Sequence, residues 1–157
     1  MIGTTSTPDK LRLVQGLGAD HVFDDMAQDF AAVISDLTGG RGVDVVFGSA
    51  GQSTFAGSLA TVTVRGHLIN FGQASGPVGH WDIDSFAAKS MTLSRPNYAH
   101  YTDTPAKLGE HVARFFAAVR AGRLRLATPT LYPLADAAQA HRDLESRRTI
   151  GPLILIP

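Results

Sequence analysis

The sequence predicts an α/β fold, a partial Rossmann-type sheet of the doubly wound, parallel kind. Three observations point there. Segments with helical and with strand-like apolar spacing alternate along the chain, as they do in βα units. Val43-Asp44-Val45-Val46-Phe47 is an apolar, β-branched run, the pattern of a parallel strand buried on both faces. Two strand-like runs stop in glycine, at Gly48-Ser49-Ala50-Gly51 and at Gly72. In such sheets ligands bind beyond the C-terminal ends of the strands.

Each element follows from local chemistry. Thr7-Pro8 starts a helix: a capping hydroxyl, then a residue whose missing N–H costs nothing at the first helical position. Leu11, Val14 and Leu17 form its apolar face, and Gly16 and Gly18 end it. His21 to Asp24 is a short strand. Asp29 caps a second helix, whose Phe30, Val33, Ile34 and Leu37 fall at helical spacing. Thr38 to Gly42 is a turn before the Val43 strand. A weaker helix runs from Thr54 to Thr63, and a strand from Gly66 to Gly72. Gln73 to Gly79 is loop, with Ser75-Gly76-Pro77 as breakers. Asp84 to Lys89 makes a helical turn. Ser90 to Pro96 alternates as a strand and stops at proline. A long helix spans about Pro105 to Ala121, Leu124 to Leu126 is extended, a helix runs from Leu134 to about Glu145, and Leu153 to Pro157 closes as a strand.

Composition narrows the function classes. The 157 residues are one domain's length. Fourteen basic residues balance fourteen acidic ones, which offers nucleic acid or an anionic membrane no general attraction. There is no cysteine, so thiolate zinc sites, iron–sulfur clusters and disulfides are excluded. No apolar run approaches the roughly 20 residues that span a bilayer, and the N-terminus lacks the pattern of a signal peptide. A cytoplasmic location is the expectation. The six histidines, His21, His67, His80, His100, His111 and His141, show no metal-ligand spacing, and no metal site is expected. Ser53 and Ser58 have no nucleophile-elbow context.

Seven stretches in order carry a family resemblance: Gly3 to Lys10, Leu17 to Val22, Thr38 to Val46, Phe71 to Pro77, Ser94-Arg95-Pro96, Tyr132 to His141, and Leu155-Ile156-Pro157. Together they resemble the C-terminal, nucleotide-binding half of a quinone oxidoreductase. The branch is the zinc-independent, zeta-crystallin-like one of the medium-chain dehydrogenase/reductase superfamily. The resemblance implies hydride transfer from NADPH (NAD being possible) to a quinone or a similar electron-poor enone acceptor. It implies that the Ser6 and Lys10 positions contact the 2′-phosphate, with Arg147 reaching the same group. Phe71, Gly72 and Gln73 would lie beside the nicotinamide, held by backbone groups and a side-chain amide. No catalytic acid–base residue is implied. The family strand matching residues 90–96 pairs across a two-fold axis, so a homodimer through those residues is expected.

Departures accompany the match. Asp25 stands where the family often has tyrosine, and a carboxylate there disfavours the 2′-phosphate. Gly48 replaces a usual aspartate, and Pro152 a common lysine. No G-x-G-x-x-G precedes a helix; Gly39-Gly40-Arg41-Gly42 precedes a strand and is a turn. Residues 1–157 are therefore expected to be an incomplete dinucleotide-binding domain lacking its first strand and glycine-rich loop. The C-terminal helix and strand would return to an absent catalytic domain. The expectation is a fragment or truncated gene product, itself inactive. The alternative is a non-catalytic nucleotide-binding or dimerisation module.

Overall fold

A computed structural model describes residues 1–5, 7–24, 28–146 and 149–157. The chain divides into two compact units, Met1–Val22 with Thr104–Pro157, and Phe23–Asp103.

In the first unit, β1 (Ile2–Thr5) leads into α1 (Pro8–Gly16). Thr7 caps α1 by accepting from the Lys10 N–H at 3.4 Å, and Pro8 opens the first turn. β1 pairs with β2 (His21–Asp24), the strand at which the two units divide. Later in the chain come α4 (Pro105–Arg120), β6 (Thr130–Pro133), α5 (Ala137–Glu145) and β7 (Leu153–Ile156). β6 and β7 are parallel, from Thr130 opposite Leu153 to Pro133 opposite Ile156, with α5 as the crossover. The Tyr132 hydroxyl donates to the Asp143 carboxylate at 2.9 Å, tying β6 to α5. The hydrogen bond to Asp143 raises the Tyr132 phenol above its usual range, because ionising the phenol would remove the donated proton.

The second unit holds a parallel three-stranded sheet, β3 (Val43–Gly48), β4 (Val62–Asn70) and β5 (Thr92–Ser94), in the order β3-β4-β5. Asp29 caps α2 (Phe30–Leu37) through the N–H groups of Ala31 and Ala32. α3 (Gln52–Thr61) is the β3-to-β4 crossover and lies against α2, where Gly57 leaves room for the Phe30 ring. The core is Phe55, Val62 and Leu68, with Val46, Leu59, Val78 and Met91 packed around it. Lys89 donates to the carbonyls of Ala60 and Val62 at 2.6 and 2.7 Å, so a cation closes the C-terminal end of α3.

The parallel α/β class holds, and β1-β2 and β3-β4-β5 form separate sheets. Several local expectations are corrected. β3 is not buried on both faces: Val46 packs on the core, while Val45 and Phe47 on the opposite face are 42% and 69% exposed. α3 begins and ends two residues earlier than its periodicity suggests, and β4 starts at once at Val62. From Val62 to His67, β4 advances five residues while β3 advances two. The excess is taken up around Arg65, a non-glycine residue at φ 62°, and Gly66. β5 is shorter than residues 90–96, because Ser90 adopts φ 48° and Pro96 cannot extend the ladder. It does lie at a sheet edge. Leu124–Leu126 forms no strand, whereas β6, which carries a proline at its end, escapes the strand pattern.

Candidate cofactor-binding turn

Two turns leave the C-terminal ends of β3 and β4, Gly48–Gly51 and Phe71–Gly76, and they are laced together. The N–H groups of Phe71 and Gly72 both donate to the Gly48 carbonyl, at 2.9 and 3.3 Å. Ala74 donates to the Ser49 carbonyl at 3.3 Å, and Ser75 to the Ala50 carbonyl at 2.7 Å. The Gln52 N–H, at the start of α3, donates to the Gly76 carbonyl at 3.1 Å.

This spacing is possible because the facing residues lack side chains. A Cβ on Gly51 would lie 2.5 Å from the Gly76 oxygen and 2.9 Å from the Gln73 Cα. Gly51 also needs its positive φ of 88°. One on Gly48 would meet the buried Asn70 side chain at 3.1 Å.

The outer surface of the joined turns carries the exposed Phe71 ring and the exposed Gln73 side chain, with Gly72 half-buried between them. No residue of 48–53 or 71–76 is titratable, so the shelf is uncharged. An uncharged shelf with an aromatic face and an amide suits a flat, neutral, amide-bearing ring. The backbone contribution is narrower than expected, since the Phe71 and Gly72 N–H groups are already spent on Gly48.

Of the other predicted positions, Lys10 lies in the first turn of α1, half-buried, in the other unit. Ser6, Arg147 and the departure Asp25 lie outside the described residues. Sequence reasoning passed over Ser49 to Gly51 and the hydroxyl of Ser75 as contributors to the site. The breaker run Ser75-Gly76-Pro77 and the family-matching stretch Phe71 to Pro77 both include Ser75, but neither assigns its hydroxyl a partner.

At the opposite end of the sheet a cavity of about 140 Å³ is lined by Arg41, Gly42, Thr61, Val62 and Lys89. Its cations are engaged: Lys89 on α3 carbonyls, and Arg41 in a two-pronged pair with Asp44 at 2.8 and 2.9 Å. Among the described residues no three histidine, aspartate or glutamate side chains converge as a metal would require. No described helix is long and apolar enough to cross a membrane.

A parallel α/β crossover with turns at the C-terminal ends of its strands is the arrangement of the doubly wound folds, whose ligands bind at those ends. A profile of the zinc-binding dehydrogenase family matches residues 17–155, and the chain belongs to that family. It is 37% identical along its whole length to a quinone oxidoreductase of Pseudomonas aeruginosa, covering 49% of that protein. It is 36% identical to a 2-haloacrylate reductase of a Burkholderia species, covering 48% of it. The structure of Escherichia coli quinone oxidoreductase complexed with NADPH superposes with a TM-score of 0.92 at 33% identity, over 99% of this chain and 49% of that one. The chain thus spans about half the length of the relatives it matches. The family's description names zinc, but a cysteine-free chain with no converging ligand trio among its described residues does not fit a zinc site. The similarity lies with the quinone oxidoreductase branch that the motifs indicate.

Proposed function

We propose that residues 1–157 are the nucleotide-binding part of an NADP(H)-dependent quinone oxidoreductase. The observation that carries this reading is the neutral glycine shelf at the ends of β3 and β4, with Phe71 and Gln73 on its outer surface. When bound, NADPH supplies the hydride that reduces a quinone or a related electron-poor alkene. The chain's part is to bind and orient: Phe71 covers one side of the nicotinamide and the Gln73 amide pairs with its carboxamide. Lys10, with the Ser6 and Arg147 positions, recognises the 2′-phosphate. NAD is the weaker ligand on this reading. The NADPH complex of the Escherichia coli relative supports the choice, and the 2-haloacrylate reductase supports an activated alkene as acceptor class. A cytoplasmic location accompanies it.

The test is a titration of the ¹⁵N-labelled chain with NADPH into the millimolar range. Amide shifts at Phe71, Gly72, Gln73 and Lys10 are expected. Their absence at all four would refute the reading. A homodimer through residues 90–96 is a second proposal, supported by the position of β5 at the edge of its sheet among the described residues, where one side of the strand offers backbone groups for pairing. It would make the chain a dimerisation module as well as a nucleotide-binding one.

A further inference from the structure

α3 begins without a cap of its own. Its N-cap residue, Gly51, has no side chain to accept from the first helical N–H groups. No capping residue could replace it, because a Cβ there would strike the Gly76 carbonyl and the φ is positive. The cap arrives instead from the other turn. The Ser75 hydroxyl accepts from the Ser53 N–H at 2.9 Å and from the Ser53 hydroxyl at 2.9 Å, and donates to the Ala50 carbonyl at 2.8 Å. One donor and two acceptor sites are all that a serine hydroxyl has, and each is used. The Gly76 carbonyl takes the neighbouring Gln52 N–H. The turn after β4 can therefore leave its position only by uncapping α3.

We propose that Ser75 is a positioning residue for cofactor binding: its hydroxyl clamps the Phe71–Gly76 turn onto the first turn of α3 and so holds Phe71 and Gln73 in place. This deepens the proposed function and rests on it for the ligand, while the clamp itself can be read without any ligand.

The experiment combines amide hydrogen exchange with the NADPH titration, on the full chain and on Ser75→Ala, Ser75→Thr and Ser53→Ala. In Ser75→Ala the Ser53 and Gln52 amides should exchange several-fold faster, as expected when an exposed capping hydrogen bond and its neighbour are released. The Leu68 amide inside β4 should keep its protection. The NADPH-induced shifts at Phe71 and Gln73 should need several-fold more ligand. Ser75→Thr keeps the oxygen and should restore both readouts. Ser53→Ala removes only the hydroxyl contact and should change them less than Ser75→Ala. Unchanged exchange in Ser75→Ala overturns the clamp but leaves the cofactor reading standing. Faster exchange with an unaltered titration overturns the positioning role. An unsubstituted chain that shows no NADPH shifts at Phe71, Gly72, Gln73 and Lys10 overturns the function and the positioning role with it, and shifts at Lys10 alone overturn the positioning role.

Discussion

Gly72 lies directly against Ser49: a Cβ built on Gly72 would fall on the Ser49 carbonyl group. The two strand-end turns approach as closely as backbone allows, and that contact sets the shape of the shelf. Gly72→Ala must push them apart. The expected cost is about 1–3 kcal/mol, the range for overpacking a well-filled site. Urea denaturation reads it as a lower midpoint at unchanged slope; an unaltered midpoint would mean that the turns separate freely.

Leu68 is fully buried in the middle of β4, packed with Phe55 and Val62. Leu68→Ala should destabilise by about 2–5 kcal/mol, transfer and cavity costs together. A loss below 1 kcal/mol would show that the small core collapses around the gap.

On the proposed reading, Lys10 is the residue that distinguishes the two cofactors. A 2′-phosphate is present in NADPH and absent from NADH, so Lys10→Glu should weaken NADPH binding and leave NADH binding nearly unchanged. Paired titrations of both nucleotides decide this, and equal losses would remove Lys10 from phosphate recognition.

Thr92 begins β5 at the sheet edge. Thr92→Pro removes a backbone donor, and a homodimer built by pairing β5 with its twin should dissociate. Sedimentation velocity compares the two chains. A monomeric parent, or a proline variant that stays dimeric, counts against the proposed interface.

The Arg41 guanidinium beside Asp44 holds its carboxyl below the usual aspartate range. A carboxyl lowered in the folded state contributes stability above its unfolded pKa, and that contribution is lost as pH falls through the folded value. The effect thus operates only in acid, and the exposure of both partners keeps it small. Carbon-detected titration should find Asp44 below the usual aspartate range, and Arg41→Ala should raise it. High salt should do part of the same.

The order of amino acids makes the parallel α/β class and the family legible, through apolar periodicity and motif order. It also determined those helix starts whose caps are local. Thr7 reaches the Lys10 N–H and Asp29 the Ala31 N–H, partners two or three residues away, so each can be read from neighbours in the chain. The strand-end location of the candidate site was legible for the same reason: Phe71-Gly72-Gln73 directly follows an apolar run. Only the tertiary structure decided the rest. α3 starts at Gln52 because its cap comes from Ser75 and Gly76, more than twenty residues ahead, a partner no local window contains. The kink at Arg65 follows from matching β4 to β3, and pairing register is a property of two strands together. Val45 and Phe47, two residues apart and so on one face of β3, are exposed, while Val46 on the other face packs on the core; which face packs is not written in a strand's own residues. Hydrogen bonds that close over three residues can be read from sequence; those that close over twenty depend on the fold that brings their ends together.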